Sequence, residues 1–107
     1  LNGQRFTKKD WTLFRNKISG WQEAYMDGLN KEYIELLSED GNPSDKFWRL
    51  EKRIKEDRKK TGVQIRMSRS NLIYNIISLV NEGAIRFDDL EEFSDELKET
   101  VSAFVKK

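Results

Sequence analysis

Trp48, Lys52, Lys55 and Lys59 are the residues whose types and spacing come nearest to a chemistry. At about 100° per residue they share one stripe of a helix, roughly opposite Phe47, Leu50 and Ile54. A row of ammonium groups meets phosphates or an acidic protein, and an indole beside them stacks on a base or fills an apolar hollow. Arg66 and Arg69 flank the start of a later helix and could clamp a phosphate that the helix N-terminus also attracts. Each feature has a plainer reading. Asp45 and Arg49, Glu51 and Lys55, and Glu56 and Lys60 stand four apart with the acid first, the order that supports a solvated helix. Trp48 can pack on a neighbouring helix. Pairing with Glu82 or the C-terminal acids is the preferred expectation for the two arginines.

Catalysis has little to work with. The chain holds no histidine and no cysteine, which removes the usual general base, thiol nucleophile and zinc ligands. The glycines are too scattered for a phosphate-binding loop. Glu92, Asp95, Glu96 and Glu99 share a helix face and carry the oxygen chemistry of Mg²⁺ or Ca²⁺ ligands. Carboxylates on one straight helix cannot surround an ion, so a solvated face or a partner for the basic helix is expected. No catalytic, cofactor or metal residue is assigned, and no cofactor is expected.

The charges that surround these candidates are segregated. Net charge is +1, but residues 46–69 carry ten Lys/Arg against three acids, and residues 82–99 carry eight acids against Arg86 and Lys98. On the wheel, Lys46, Arg49, Arg53 and Lys60 flank the apolar face of the basic helix and are the expected partners of the C-terminal acids. Lys52, Lys55 and Lys59 point away with Trp48, free for a molecule outside the chain.

The elements that position these groups follow from hydrophobic spacing. Thr7 and Asp10 form a variant capping box. Trp11, Phe14, Ile18, Trp21, Tyr25, Leu29, Tyr33 and Leu36/Leu37 then recur at steps of three or four, a helical stripe. Ser19-Gly20 is the expected break, giving helices over about 8–19 and 21–38, with one continuous helix as the alternative. Asn42 and Pro43 open a basic helix that runs to about Lys60 before Thr61-Gly62. Val63, Ile65 and Met67 alternate in a stretch read as an extended connector. A helix over about 69–82, with Leu72, Ile73, Ile76, Ile77, Leu79 and Val80, is apolar over more than half its circumference and so buried by several neighbours. It is too apolar, and its preceding turn too long, for the recognition helix of a helix-turn-helix. Ser94 caps a last segment carrying Leu97, Val101 and Phe104. The aromatic stripe of the first 38 residues is read as core, with a homodimer seam as the alternative.

A chain of 107 residues with 36% hydrophobic residues suits one domain with narrow apolar stripes. No run approaches the ~20 apolar residues of a membrane span, and no secretory segment opens the sequence; a cytoplasmic location is expected.

Residues 67–77 (MSRSNLIYNII), 81–85 (NEGAI) and 89–99 (DLEEFSDELKE), together with 47–54 (FWRLEKRI) and 21–25 (WQEAY), resemble a group of short uncharacterised proteins of gut Firmicutes and their mobile elements. Some of these carry a transporter label, which the lack of an apolar span contradicts. The resemblance implies a small bacterial accessory protein and no particular activity.

The sequence therefore predicts a single all-α domain over 1–107, an irregular bundle of about five helices around a buried helix near 69–82. The expected function is non-catalytic: a bacterial accessory or regulatory protein acting through a protein partner. The alternative is nucleic-acid binding by the basic helix (46–60) with Arg66 and Arg69.

Overall fold

The computed structural model describes residues 5–105 and is helical throughout, with no strand among the described residues. Helix α1 (Lys8–Ser38) is followed by α2 (Pro43–Asp57), a 3₁₀ turn at Arg69–Asn71, α3 (Leu72–Asn81), a second 3₁₀ turn at Phe87–Leu90, and α4 (Asp95–Ser102). Among the described residues there are thus four α-helices rather than about five. The difference lies at Ser19-Gly20, where the chain does not break.

α1 runs unbroken for 31 residues. Two interior glycines cost it roughly 1 kcal/mol each relative to alanine. The apolar stripe is anchored on both sides of them, by Phe14 and Ile18 before and by Leu29 and Leu36 after, all buried. Packing along one stripe outweighs a local propensity defect. The Thr7–Asp10 box forms in both directions: Asp10 N–H donates to Thr7 Oγ1 (3.0 Å) and Thr7 N–H to Asp10 Oδ2 (2.9 Å).

One hydrophobic core lies at one end of this helix. Phe14 and Ile18 of α1 meet Leu72, Ile76 and Leu79 of α3, Ile85, Leu90, Phe93, and Leu97 and Val101 of α4, all buried. α3 is the buried central helix that its composition requires, and Gly83 ends it in the left-handed region (φ 81°). Asn75 is buried too, and its amide donates to the Arg66 carbonyl at 3.0 Å, fixing the extended connector against the helix.

The other half of α1 leaves the core and pairs with α2 as a two-helix arm. A helix of 31 residues spans roughly 46 Å, and the molecule measures 54 × 26 × 23 Å. Its radius of gyration, 16.6 Å, exceeds the ~13 Å of a compact chain this long.

Candidate functional site

The arm carries the candidate surface. α2 starts with Pro43 in its first turn, where the missing N–H costs nothing. Asn42 stands at the cap position without a side-chain cap bond. Against α1 the helix presents an edge different from the expected one. Leu50 is half-buried and Asp57 fully so, but Phe47 and Ile54 stay 60% and 43% exposed. The contact edge of α2 is thus rotated towards Asp57 and Arg53, and an ionic group explains it. Tyr33 Oη donates to Asp57 Oδ2 at 2.6 Å, and Arg53 bridges Asp57 (3.3 Å) and Glu32 (2.7 Å). Burial, then the hydrogen bond to Asp57, pushes the Tyr33 phenol up to about 12, so it stays a donor at physiological pH.

Trp48 is 63% exposed, and its ring meets that of Phe47 edge to face at 4.8 Å between centroids. With Lys52 it lines an open hollow at the tip of the arm, among Asp40, Gly41, Asp45, Lys46 and Arg49. Lys52, Lys55 and Lys59 are all exposed. Lys55 pairs with Glu51 at 3.0 Å, while Lys52 and Lys59 make no ion pair among the described residues. From Trp48 to Lys59 the row covers roughly 16 Å of helix.

The two arginines do not form a clamp. Arg66 is exposed and lines a shallow hollow with Lys59, Gln64 and Ile65. Arg69 lays its guanidinium on the Phe6 ring at 5.9 Å, with its Nε buried and unpartnered. Neither pairs with Glu82 or with the C-terminal acids among the described residues, against expectation. Glu82 is engaged elsewhere, accepting from Thr61 N–H (2.8 Å), Thr61 Oγ1 (3.2 Å) and Gly62 N–H (3.4 Å). Free backbone donors in the turn after α2 take the carboxylate that the arginines were expected to hold.

The acidic C-terminal segment also does not face the basic helix. Arg49 pairs with Glu39 (3.3 Å) and Arg53 with Glu32, so α2 draws its counter-charges from α1 and the turn between them. Glu92 pairs with Lys17 across the core end (3.2 Å). Among the described residues no group of three or more His, Cys, Asp or Glu side chains converges as metal ligands, and no helix is long and apolar enough to cross a membrane.

Sequence reasoning did not single out Ile34 (63% exposed), and it placed Leu37, Phe47 and Ile54 on apolar stripes although the structure leaves them 44%, 60% and 43% exposed. The signal was present. Phe47 and Trp48 are neighbours in a helix and cannot both face one partner, and Ile34 lies off the main stripe. No family model, curated protein or solved structure matches the chain.

Proposed function

We propose that the protein is a non-catalytic bacterial accessory or regulatory protein whose arm docks an acidic, partly apolar surface of another protein. The observation that carries this reading is the exposed Phe47–Trp48 pair at the arm tip, bordered by Lys52, Lys55 and Lys59. Large exposed aromatics are the side chains that anchor protein interfaces, and lysines at their rim add charge complementarity and speed encounter with an acidic surface. The bacterial setting comes from the resemblance in residues 21–25, 47–54, 67–77, 81–85 and 89–99.

Nucleic-acid binding by the same row is the second reading, favoured by the hollow that joins Arg66 to Lys59. Acids weigh against it: Asp40 and Asp45 line the hollow beside Trp48, and Glu51 and Glu56 interleave with the lysines. A phosphate backbone, charged at every nucleotide, would be repelled at those positions, whereas a partner protein can set its acids against the lysines and its apolar side chains beside the acids.

A photo-crosslinking residue in place of Trp48 tests both. The expected product is a crosslink to a peptide bearing acidic and apolar side chains, lost when Lys52, Lys55 and Lys59 are changed to Glu. Trp48→Ala should weaken the complex by about 2 kcal/mol, some 30-fold in Kd. Unchanged binding in both variants removes this surface. Retention of DNA or RNA at low salt, falling steeply as salt rises, would select the second reading.

A further inference from the structure

The flank of the arm that begins at Phe47 and faces away from Lys52 carries a further inference. Met26, Asn30, Tyr33 and Leu37 follow at steps of four, three and four along α1. Phe47, Ile54 and Arg58 keep the same heptad register along α2 and its end. The two stripes border one groove, in which Met26, Tyr33, Ile54 and Arg58 line a common hollow floored by Leu29. Ile34 and Leu37 stand at its α1 rim, 63% and 44% exposed, and Phe47 and Ile54 on its α2 side at 60% and 43%. This is the seam a helix pair presents to a second pair.

We propose that a second copy of this chain covers this seam, making a four-helix bundle from two arms. Two quantities select a copy of the chain. The first is charge. The arm half of α1, residues 20–38, carries Glu23, Asp27, Glu32 and Glu35 against Lys31, a net of −3. Residues 43–60 carry eight Lys/Arg against four acids, a net of +4. A hairpin with one acidic and one basic helix is complementary to itself under a twofold axis that lays α1 over α2 of the other copy, as an isologous interface requires. The second is area. The exposed apolar side chains of the seam amount to roughly 500 Å². That lies in the size range of apolar patches that mark a protein interaction site. Trp48 packs edge to face on Phe47 at the border of the seam, so Phe47, Lys55 and Lys59 belong to both surfaces, and pairing of the arms competes with docking of the other protein.

Sedimentation equilibrium from about 1 to about 200 µM, the range in which an interface of this size associates, reads the proposal directly. The mass of two chains is expected. Ile34→Asp with Ile54→Asp, both exposed positions outside the core, should raise the dissociation constant about 100-fold while the circular dichroism stays that of the native helices. Glu23→Lys with Asp27→Lys should also weaken the dimer, about tenfold, and mixing that variant with a Lys55→Glu/Lys59→Glu copy should restore association. Trp48→Ala should leave the mass unchanged, which separates this interface from the partner surface. A monomer at every concentration, or a dimer indifferent to the paired aspartates, overturns the proposal. Failure of the charge-swapped mixture overturns the laying of α1 over α2.

Discussion

Asp10 holds two distant stretches of chain with one carboxylate. Besides its part in the α1 cap, its Oδ1 accepts from Ser94 N–H at 2.8 Å and its Oδ2 from Ser94 Oγ at 2.6 Å. Ser94 Oγ in turn caps α4 by accepting from Leu97 N–H at 3.2 Å. Burial by itself would raise this carboxyl; the bonds from Ser94 and Thr7 outweigh it and hold the group below its usual range. A depressed folded value means that the contribution is complete above the unfolded value, about 3.9, and fades as pH falls through the folded one. Asp10→Asn should cost about 2–3 kcal/mol near neutral pH, because buried donors lose their acceptor. It should also flatten the loss of stability between about pH 5 and pH 2; urea unfolding of both proteins across that interval measures the two effects together. Each half of this arrangement is legible locally, since Thr7-x-x-Asp10 and Ser94 both have cap spacing. That the two caps share a carboxylate is not, because 84 residues separate them and nothing in either motif specifies the other. Phe47 and Ile54 failed for a related reason: hydrophobicity marked them as interior, but a polar group, Tyr33–Asp57–Arg53, set the rotation of α2.

At the level of elements, three glycines that look alike in sequence play opposite parts. A Cβ added at Gly20 or Gly28 meets nothing within 4 Å. At Gly62 the Tyr25 ring of α1 already occupies the space a Cβ would need, and Glu82 holds the same turn from α3. Gly20→Ala and Gly28→Ala should therefore each add about 0.5–1 kcal/mol by stiffening the unfolded chain and improving helix propensity. Gly62→Ala should cost about 1–3 kcal/mol by forcing the ring and turn apart. Thermal melts of the three variants separate the cases, and a destabilised Gly20→Ala would contradict a continuous α1. Several helix ends were readable because caps are local: the Thr7 box, Pro43 in the first turn of α2, and Gly83 after α3 all act where they stand, whereas α2 stops at Asp57 rather than about Lys60 and α3 starts at Leu72 after a 3₁₀ turn. The continuity of α1 was not, because it depends on burial at both ends of a stripe, which only the assembled chain supplies.

The whole molecule has a firm end and a lightly covered one. The core holds ten mutually packed buried hydrophobic residues, whereas beyond Trp21 the arm buries little apart from Leu29, Leu36 and Asp57. Hydrogen exchange should accordingly show α3, α4 and the first half of α1 opening only with global unfolding, and residues 30–57 opening at a lower free energy. If the arms pair, protection of residues 30–57 should rise with protein concentration while that of α3 does not; uniform protection along the chain would contradict the division. The all-helical class and the central place of α3 were legible from periodicity alone, but the separation of arm from core was not. Both halves of α1 carry the same spacing of apolar residues, and only the three-dimensional count of neighbours distinguishes them. The closure of Asp10 on Ser94 also bears on biosynthesis. At roughly 5–20 residues per second, a ribosome needs on the order of 4–17 s to add the 84 residues that carry the chain from Asp10 to Ser94. Until α3 is complete, most of that interval, the nascent chain displays Trp11, Phe14 and Trp21 without cover, and α4 follows later still, a window in which a chaperone competes with the fold for the same stripe.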